Sequence, residues 1–209
     1  MMLNTISGRL LLGAGAMTVV GLLTAYALVK PSTPICVEPT TVATFTHEDP
    51  PIVPPEIQVP AGNKLFLKLH AVGTQNYTCN GAGAWGPAVP AADLFNKHGN
   101  QVGTHFGGPT WQYQDGSSVL GVKIAGVFVP PPPAPPTAIQ WLLIQKVSTQ
   151  PGPEGGDRLT GTTFIQRINT TGGLAPSGAC VSGSTAAVPY TADYYFYRAA
   201  TDDDDDQGD

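Results

Sequence analysis

A single antiparallel all-β domain, a sandwich or a barrel with long loops and at most one or two short helices, is the fold this 209-residue sequence predicts. Three observations carry that expectation. Charged residues make up 12% of the chain, about half of the roughly 25% usual in soluble proteins, so long solvated helix faces are in short supply. Glycine (25) and proline (21) are both abundant, a mixture that favours strands joined by turns. Alternation of apolar and polar residues with a period of two then recurs in several segments rich in β-branched and aromatic side chains. The length suits one body and is enough to bury a core without metals or cross-links.

The N-terminal part stands apart from that body. Arg9 precedes an uncharged run over residues 10–29, and Ala25-Tyr26-Ala27 supplies the small-x-small pattern of a signal-peptidase site. Residues 1–27 therefore read as a signal peptide or, if uncleaved, as a membrane anchor. Either way the remainder is expected to be secreted, or held at the cell envelope by that segment. Ile35 precedes Cys36, so the small residue of a lipobox is missing. Residues 28–56 read as a proline-rich linker, with eight prolines between positions 30 and 60. His47-Glu48-Asp49 lies in it, and a lone cluster in such a stretch is a poor metal site.

The net charge of −5 divides unevenly. Residues 201–209 hold six of the fifteen acids, the expected signature of a solvated disordered tail. The body is then neutral, with no basic face for phosphate backbones, and nucleic-acid binding is not expected. Three cysteines in an exported chain make one disulfide with one residue left over. Cys79 and Cys180 lie inside the patterned body and are expected to pair, leaving Cys36 free or cross-linked to another molecule.

Taken in order, the first strand is "KLFLKLHAV", which places Leu65, Leu67, Leu69 and Ala71 on one face and Lys64, Phe66, Lys68 and His70 on the other. A short helix is expected around "PAADLFNKHG", with Pro90 at its start and Gly99 as its stop. "WQYQ" and "SSVLGVKIAGVFV" flank Asp115-Gly116, a pair suited to the type I′ turn of a two-residue hairpin. "AIQWLLIQKV", "TTFIQRINT" and "YTADYYFYR" follow as strands. In the last of these Tyr190, Tyr194 and Phe196 share one face and Tyr195 and Tyr197 the other, so one tyrosine face must be exposed or covered. The run "VPPPPAPPTA" reads as a surface connector, since the strands on neither side make a self-sufficient sheet.

The motifs that suggest chemistry are weak. "GAGAWG", residues 81–86, fits GxGxxG as a string, but Pro87 and Pro90 follow at once and no acid lies about twenty residues on. The strand, turn and helix that a dinucleotide site needs are therefore not expected, and no cofactor is assigned. His98 and His105, seven apart, do not make a metal site with the few other donors, and no metal is assigned. Ser117, Asp115 and His105 hold the residue types of a nucleophilic triad without a G-x-S-x-G elbow. Asp93, Asp115, Glu154, Asp157 and Asp193 are nearly the whole supply of body carboxylates for glycoside hydrolysis. Trp85 or Trp111 could wall a binding site, and Gln166, Arg167 and Asn169 are further polar candidates, Arg167 and Asn169 alternating onto one strand face. Asn76 and Asn169 each begin a glycosylation sequon.

Several of these pieces fit one pattern: "VPAGNKLFLKLHAVGTQNYTCNG", "GTHFGGPTWQ" followed by "DGS", "TFIQRINTTGG" and "VPYTADYYFY". Together they resemble the secreted family called domain of unknown function 3455, over residues 57–197. The resemblance implies an exported single domain and supports the pairing of Cys79 with Cys180, both of which fall in its motifs. Some fungal members carry the label malate dehydrogenase, for which this chain offers neither a βαβ unit nor a dinucleotide loop.

The functional expectation is a non-catalytic extracellular domain that binds a ligand such as a glycan or another envelope component, with Trp85, Trp111, Arg167 and Asn169 as binding candidates. The alternative is a secreted hydrolytic or metal-assisted enzyme using His105 and Asp115. A structural envelope protein, cross-linked through Cys36, is a third.

Overall fold

Alternation along each segment has a simple outcome: strands β1 (Asn63–Thr78), β2 (Val89–Phe95), β3 (Gln101–Phe106), β4 (Thr110–Tyr113), β5 (Ser118–Val127), β6 (Trp141–Gln150), β7 (Thr162–Gly172) and β8 (Thr185–Ala199). The structure, a computed structural model, describes residues 49–132 and 134–201. The expected leader at 1–27, most of the linker at 28–56, Cys36, His47, Glu48 and the acidic run after Thr201 lie outside the described residues. Every strand pairs antiparallel with the next and β8 pairs back onto β1, so the sheet closes as an eight-stranded barrel. Closure pairs the edges that an open sheet would expose. Among the described residues the one helical element is a 3-10 turn at Pro55–Ile57.

Two expectations are corrected. The segment expected as a helix around residues 90–99 is strand β2 and the turn after it. Ala92 and Leu94 are buried while Ala91 and Asp93 are exposed, and β2 pairs with β1 from His70 to Asn76. Partners on both sides outweigh the weak helix propensity of Ala-Ala-Asp-Leu. Gly99, at φ 78°, serves the turn, where the Asn96 side chain accepts hydrogen bonds from the His98 and Asn100 amides.

The hairpin at Asp115-Gly116 is the second. Tyr113 N–H bonds to Ser117 O and Gly116 N–H to Tyr113 O, with positive φ (82°) at Gly116 and not at Asp115. That is a three-residue loop, a type I turn closed by a left-handed glycine, in place of the two-residue type I′ turn.

The barrel has an inner and an outer apolar layer. Leu69, Ala71, Ala92, Leu94, Trp111, Val119, Ile144, Ile165, Tyr190, Ala192, Tyr194 and Phe196 form one cluster, inside. Gly121 makes room for the largest of them: a Cβ there would meet the Trp111 ring at 3.3 Å. Val53, Ile57, Leu65, Leu143, Ile168, Tyr195 and Tyr197 form the other, outside. The covered second tyrosine face is thus explained, because the chain before β1 straps across it. Ile57 is fully buried, and its carbonyl accepts a hydrogen bond of 2.8 Å from Gln166 Nε2, whose Oε1 accepts from Tyr197 Oη at 2.7 Å. Residues 53–57 are therefore part of the barrel and not a spacer. Leu65 joins this outer layer, against the expected grouping with Leu67, Leu69 and Ala71, because a bulge between Leu65 and Leu67 reverses the alternation.

The proline run at 129–138 connects β5 to β6, which pair with each other. Its end of the barrel also carries the β1–β2, β3–β4 and β7–β8 loops. There a disulfide joins Cys79 to Cys180, Cα–Cα 5.9 Å.

Candidate functional site

The two ends of the barrel interior differ in chemistry. At the end carrying the β4–β5 hairpin, Leu159 from the β6–β7 loop is fully buried and packs into the inner cluster. Asp115 and Ser117 hold it there. Ser117 Oγ and N–H donate to Asp115 Oδ1 at 2.6 and 2.9 Å, Arg158 N–H donates to Oδ2 at 2.9 Å, and Leu159 N–H donates to Ser117 Oγ at 3.1 Å. Burial alone would raise the Asp115 pKa, but these donors, with Asp157 N–H, outweigh it and hold the carboxyl below its usual value. Asp115 is a latch that closes one end of the barrel.

The opposite end is open, with a few polar side chains set in a mostly apolar wall. A cavity of about 250 Å³ enters the barrel there, between the proline-rich rim (Pro90, Pro109) and the interior side chains Gln75, His105, Trp111, Arg167 and Tyr194. Strand alternation puts them inside: Gln75 follows Leu69 and Ala71 along β1, His105 pairs with Trp111, and Arg167 follows Ile165 and pairs with Tyr194.

His105 is 3% exposed. Its ring stacks on Trp111 with centroids 4.2 Å apart and planes within 7°, and meets Tyr194 edge-on at 5.2 Å. Nδ1 lies 2.9 Å from Thr110 O, and since a carbonyl only accepts, Nδ1 carries the proton and Nε2 the lone pair. Burial lowers the His105 pKa to about 4; the Thr110 bond opposes this and the Arg167 charge reinforces it. The histidine is neutral at pH 7.

Arg167 is fixed by a carbonyl just before β6: Nε and Nη2 donate to Gln140 O at 3.2 and 2.9 Å. Burial raises the pKa of Tyr194, against the charge of Arg167, and it raises that of Tyr190 as well. Gln75 Nε2, Trp111 Nε1 and the Tyr190 and Tyr194 hydroxyls are buried with no partner at full hydrogen-bond geometry, although Gln75, Tyr190, Tyr194 and Arg167 follow one another closely enough to interact weakly.

The sequence candidates are thus divided. His105, Trp111 and Arg167 meet at the mouth, while Asp115 and Ser117 sit at the closed end with their polar atoms engaged locally, so no Ser-His-Asp triad is assembled. Gln166 faces outward to the strap. Asn169, at φ 52° in a bulge between Ile168 and Thr171, departs from the expected shared face with Arg167. It is exposed and donates to Asp193 Oδ2 at 3.0 Å. Asp193 Oδ1 lies 2.8 Å from His70 Nδ1, beside an outer groove of about 510 Å³. That groove is larger than the mouth cavity, but its His70 and Asp193 already pair with each other, whereas the mouth holds buried polar groups short of a full hydrogen bond. Trp85 bridges to Cys79 at the rim, its indole N–H buried and unpartnered. Among the described residues no group of three His, Cys, Asp or Glu side chains is placed to hold a metal.

Gln75 was not among the sequence candidates, and Tyr190 and Tyr194 were expected as core aromatics rather than as a sugar-stacking platform. The signal for Gln75 was parity: continued past Val72, the β1 alternation carries a glutamine onto the face of Leu69 and Ala71.

No curated protein and no solved structure matches the chain. The family model described as a protein of unknown function (DUF3455) matches residues 60–198, from just before β1 to the penultimate residue of β8, and the chain belongs to that family.

Proposed function

We propose that the chain is an exported, non-catalytic binding protein that takes a small extracellular ligand, free or as the terminal group of a glycan or envelope polymer, into the mouth of its barrel. One observation carries this reading: Gln75, Trp111 and Tyr194, whose polar atoms are buried short of a full hydrogen bond, line a single cavity together with Arg167, with Tyr190 beside them. Each such group costs about 1–3 kcal/mol when left without a partner. A ligand that pairs them offsets that cost. Export is supported by the pattern of residues 1–27 and by a disulfide that persists in oxidising compartments. A non-catalytic role is supported by the separation of His105 from Asp115 and Ser117, and by a His105 pKa of about 4, low for a general base at neutral pH. Trp111, 1% exposed with one ring face against His105, offers no open platform for a sugar ring, so recognition falls to the polar groups.

Thermal-shift screening of small polar metabolites against the secreted protein tests this. A ligand at a hundred times its Kd adds about 2.7 kcal/mol, or roughly 5–10 °C in Tm for a chain of this size. The shift is expected to disappear in Gln75→Leu. Ligands that stabilise both proteins equally would remove the mouth as the site, and a screened compound converted to product would overturn the non-catalytic reading.

A further inference from the structure

Resting on that reading of the mouth, the geometry points to the chemical class of the ligand: we propose that it is a small carboxylic acid with an apolar body, its carboxylate anchored by Arg167. The charge at the mouth has one sign. Arg167 and Lys123 both border the cavity and no acidic residue does. Both cations are held by the same residue, Arg167 on the Gln140 carbonyl and Lys123 Nζ on Gln140 Oε1 at 2.6 Å. Among the described residues Arg167 makes no ion pair, so a half-buried guanidinium stands without a counter-charge. Such a charge is costly away from water until an anion joins it. Of its five N–H donors two are used on Gln140 O, which fixes the plane of the fork; Tyr194 approaches the guanidinium without a full hydrogen bond, and the remaining donors are open to a bidentate partner.

The unpaired neutral groups have the same polarity. Gln75 Nε2 and Trp111 Nε1 can only donate, and the Tyr194 hydroxyl, beside Arg167, has a proton to give. A site with surplus donors calls for a head that only accepts, and a carboxylate offers two oxygens and no proton. The rest of the wall is apolar, with Val89, Pro109, Ile139 and Leu142 around the opening. That surface suits a hydrocarbon body better than a fully polar anion such as phosphate. The cavity of about 250 Å³ falls just below the usual 300–1,000 Å³ of drug-sized sites, which sets the ligand's size.

Isothermal titration of the mature protein with acetate, butyrate, hexanoate and benzoate, each against its neutral amide and against inorganic phosphate, tests the proposal. At least one carboxylate is expected to bind tenfold or more tightly than its amide and than phosphate. Arg167→Gln, with its fold checked by circular dichroism, is expected to abolish that preference. Tyr194→Phe, which keeps the charge and the ring, is expected to weaken carboxylate binding several-fold. Amides that bind as tightly as their acids, or a preference that survives Arg167→Gln, would overturn the carboxylate assignment and leave the binding barrel standing. Phosphate binding more tightly than every carboxylate would overturn the apolar-bodied ligand. Failure of all these probes at the mouth would overturn the carboxylate class, and if the metabolite screen against Gln75→Leu were also empty, the binding reading with it.

Discussion

His105 ties the stability of the barrel to pH in a way that can be calculated. Its ring is almost fully enclosed against Trp111 and Tyr194, and its pKa falls from an ordinary 6.5 to about 4. A histidine whose pKa is lower in the folded state binds protons more readily when unfolded, so acid favours unfolding. The stability associated with neutral His105 is complete above pH 6.5 and drains away as pH falls towards 4. From these two pKa values the loss relative to pH 7 is roughly 2 kcal/mol at pH 5 and about 3 kcal/mol at pH 4. Urea unfolding midpoints measured at half-unit steps from pH 4 to 7 read this directly. His105→Gln, which keeps a polar side chain at the position and removes the titration, is expected to be less stable at pH 7 but to have a flatter profile. The difference between the two profiles should close by about 3 kcal/mol over that range. Every other ionisable group is the same in both proteins, so its contribution cancels in the difference. Parallel profiles would show that His105 is not buried as a neutral ring, and the stacked arrangement at the mouth would be wrong.

Other perturbations have outcomes of known sign. Tyr194→Phe removes a buried hydroxyl whose contacts with Tyr190 and Arg167 fall short of full hydrogen bonds, and is expected to leave stability within about 1 kcal/mol of the parent in chemical denaturation while it weakens ligand binding. Asp115→Ala strips the acceptor from Ser117 and Arg158 and frees the loop carrying Leu159. A loss of about 2 kcal/mol is expected, read as a fall in Tm of roughly 4–8 °C. Cys79→Ser with Cys180→Ser opens a loop of 101 residues and is expected to lower the unfolding free energy by about 4–5 kcal/mol on the chain-entropy account. Ile57→Ala empties a fully buried site under the strap and should cost about 2–5 kcal/mol. Limited proteolysis of that variant should cut within residues 49–57 before the barrel is touched.

Much of the barrel was legible because a closed sheet with a filled interior imposes strict alternation. β5 to β8 announce themselves by β-branched and aromatic residues, and the two faces of "YTADYYFY" are divided as alternation requires. β2 was hidden because Ala-Ala-Asp-Leu is short and favours a helix on its own, and only pairing with β1 and β3 decides it. The bulges at Leu65/Leu67 and Ile168/Thr171 could not be read, since one extra residue reverses a face without changing composition. His105 stood out in the sequence because a hairpin needs no histidine. Asp115 was read as a possible acid because its distant partners, the Asp157 and Arg158 amides, lie more than forty residues away and meet it only when the barrel closes.

The most direct test of the ligand site is an NMR titration that follows the tryptophan indole N–H signals. Trp111 Nε1 is buried and unpartnered at the cavity, whereas Trp141 packs against the outer layer. A small ligand that enters the mouth should shift the Trp111 indole signal to saturation and leave that of Trp141 in place. A Trp111 signal that stays fixed while a bound ligand moves the outer groove around His70 and Phe95 would contradict the account and transfer the site to the outside of the barrel.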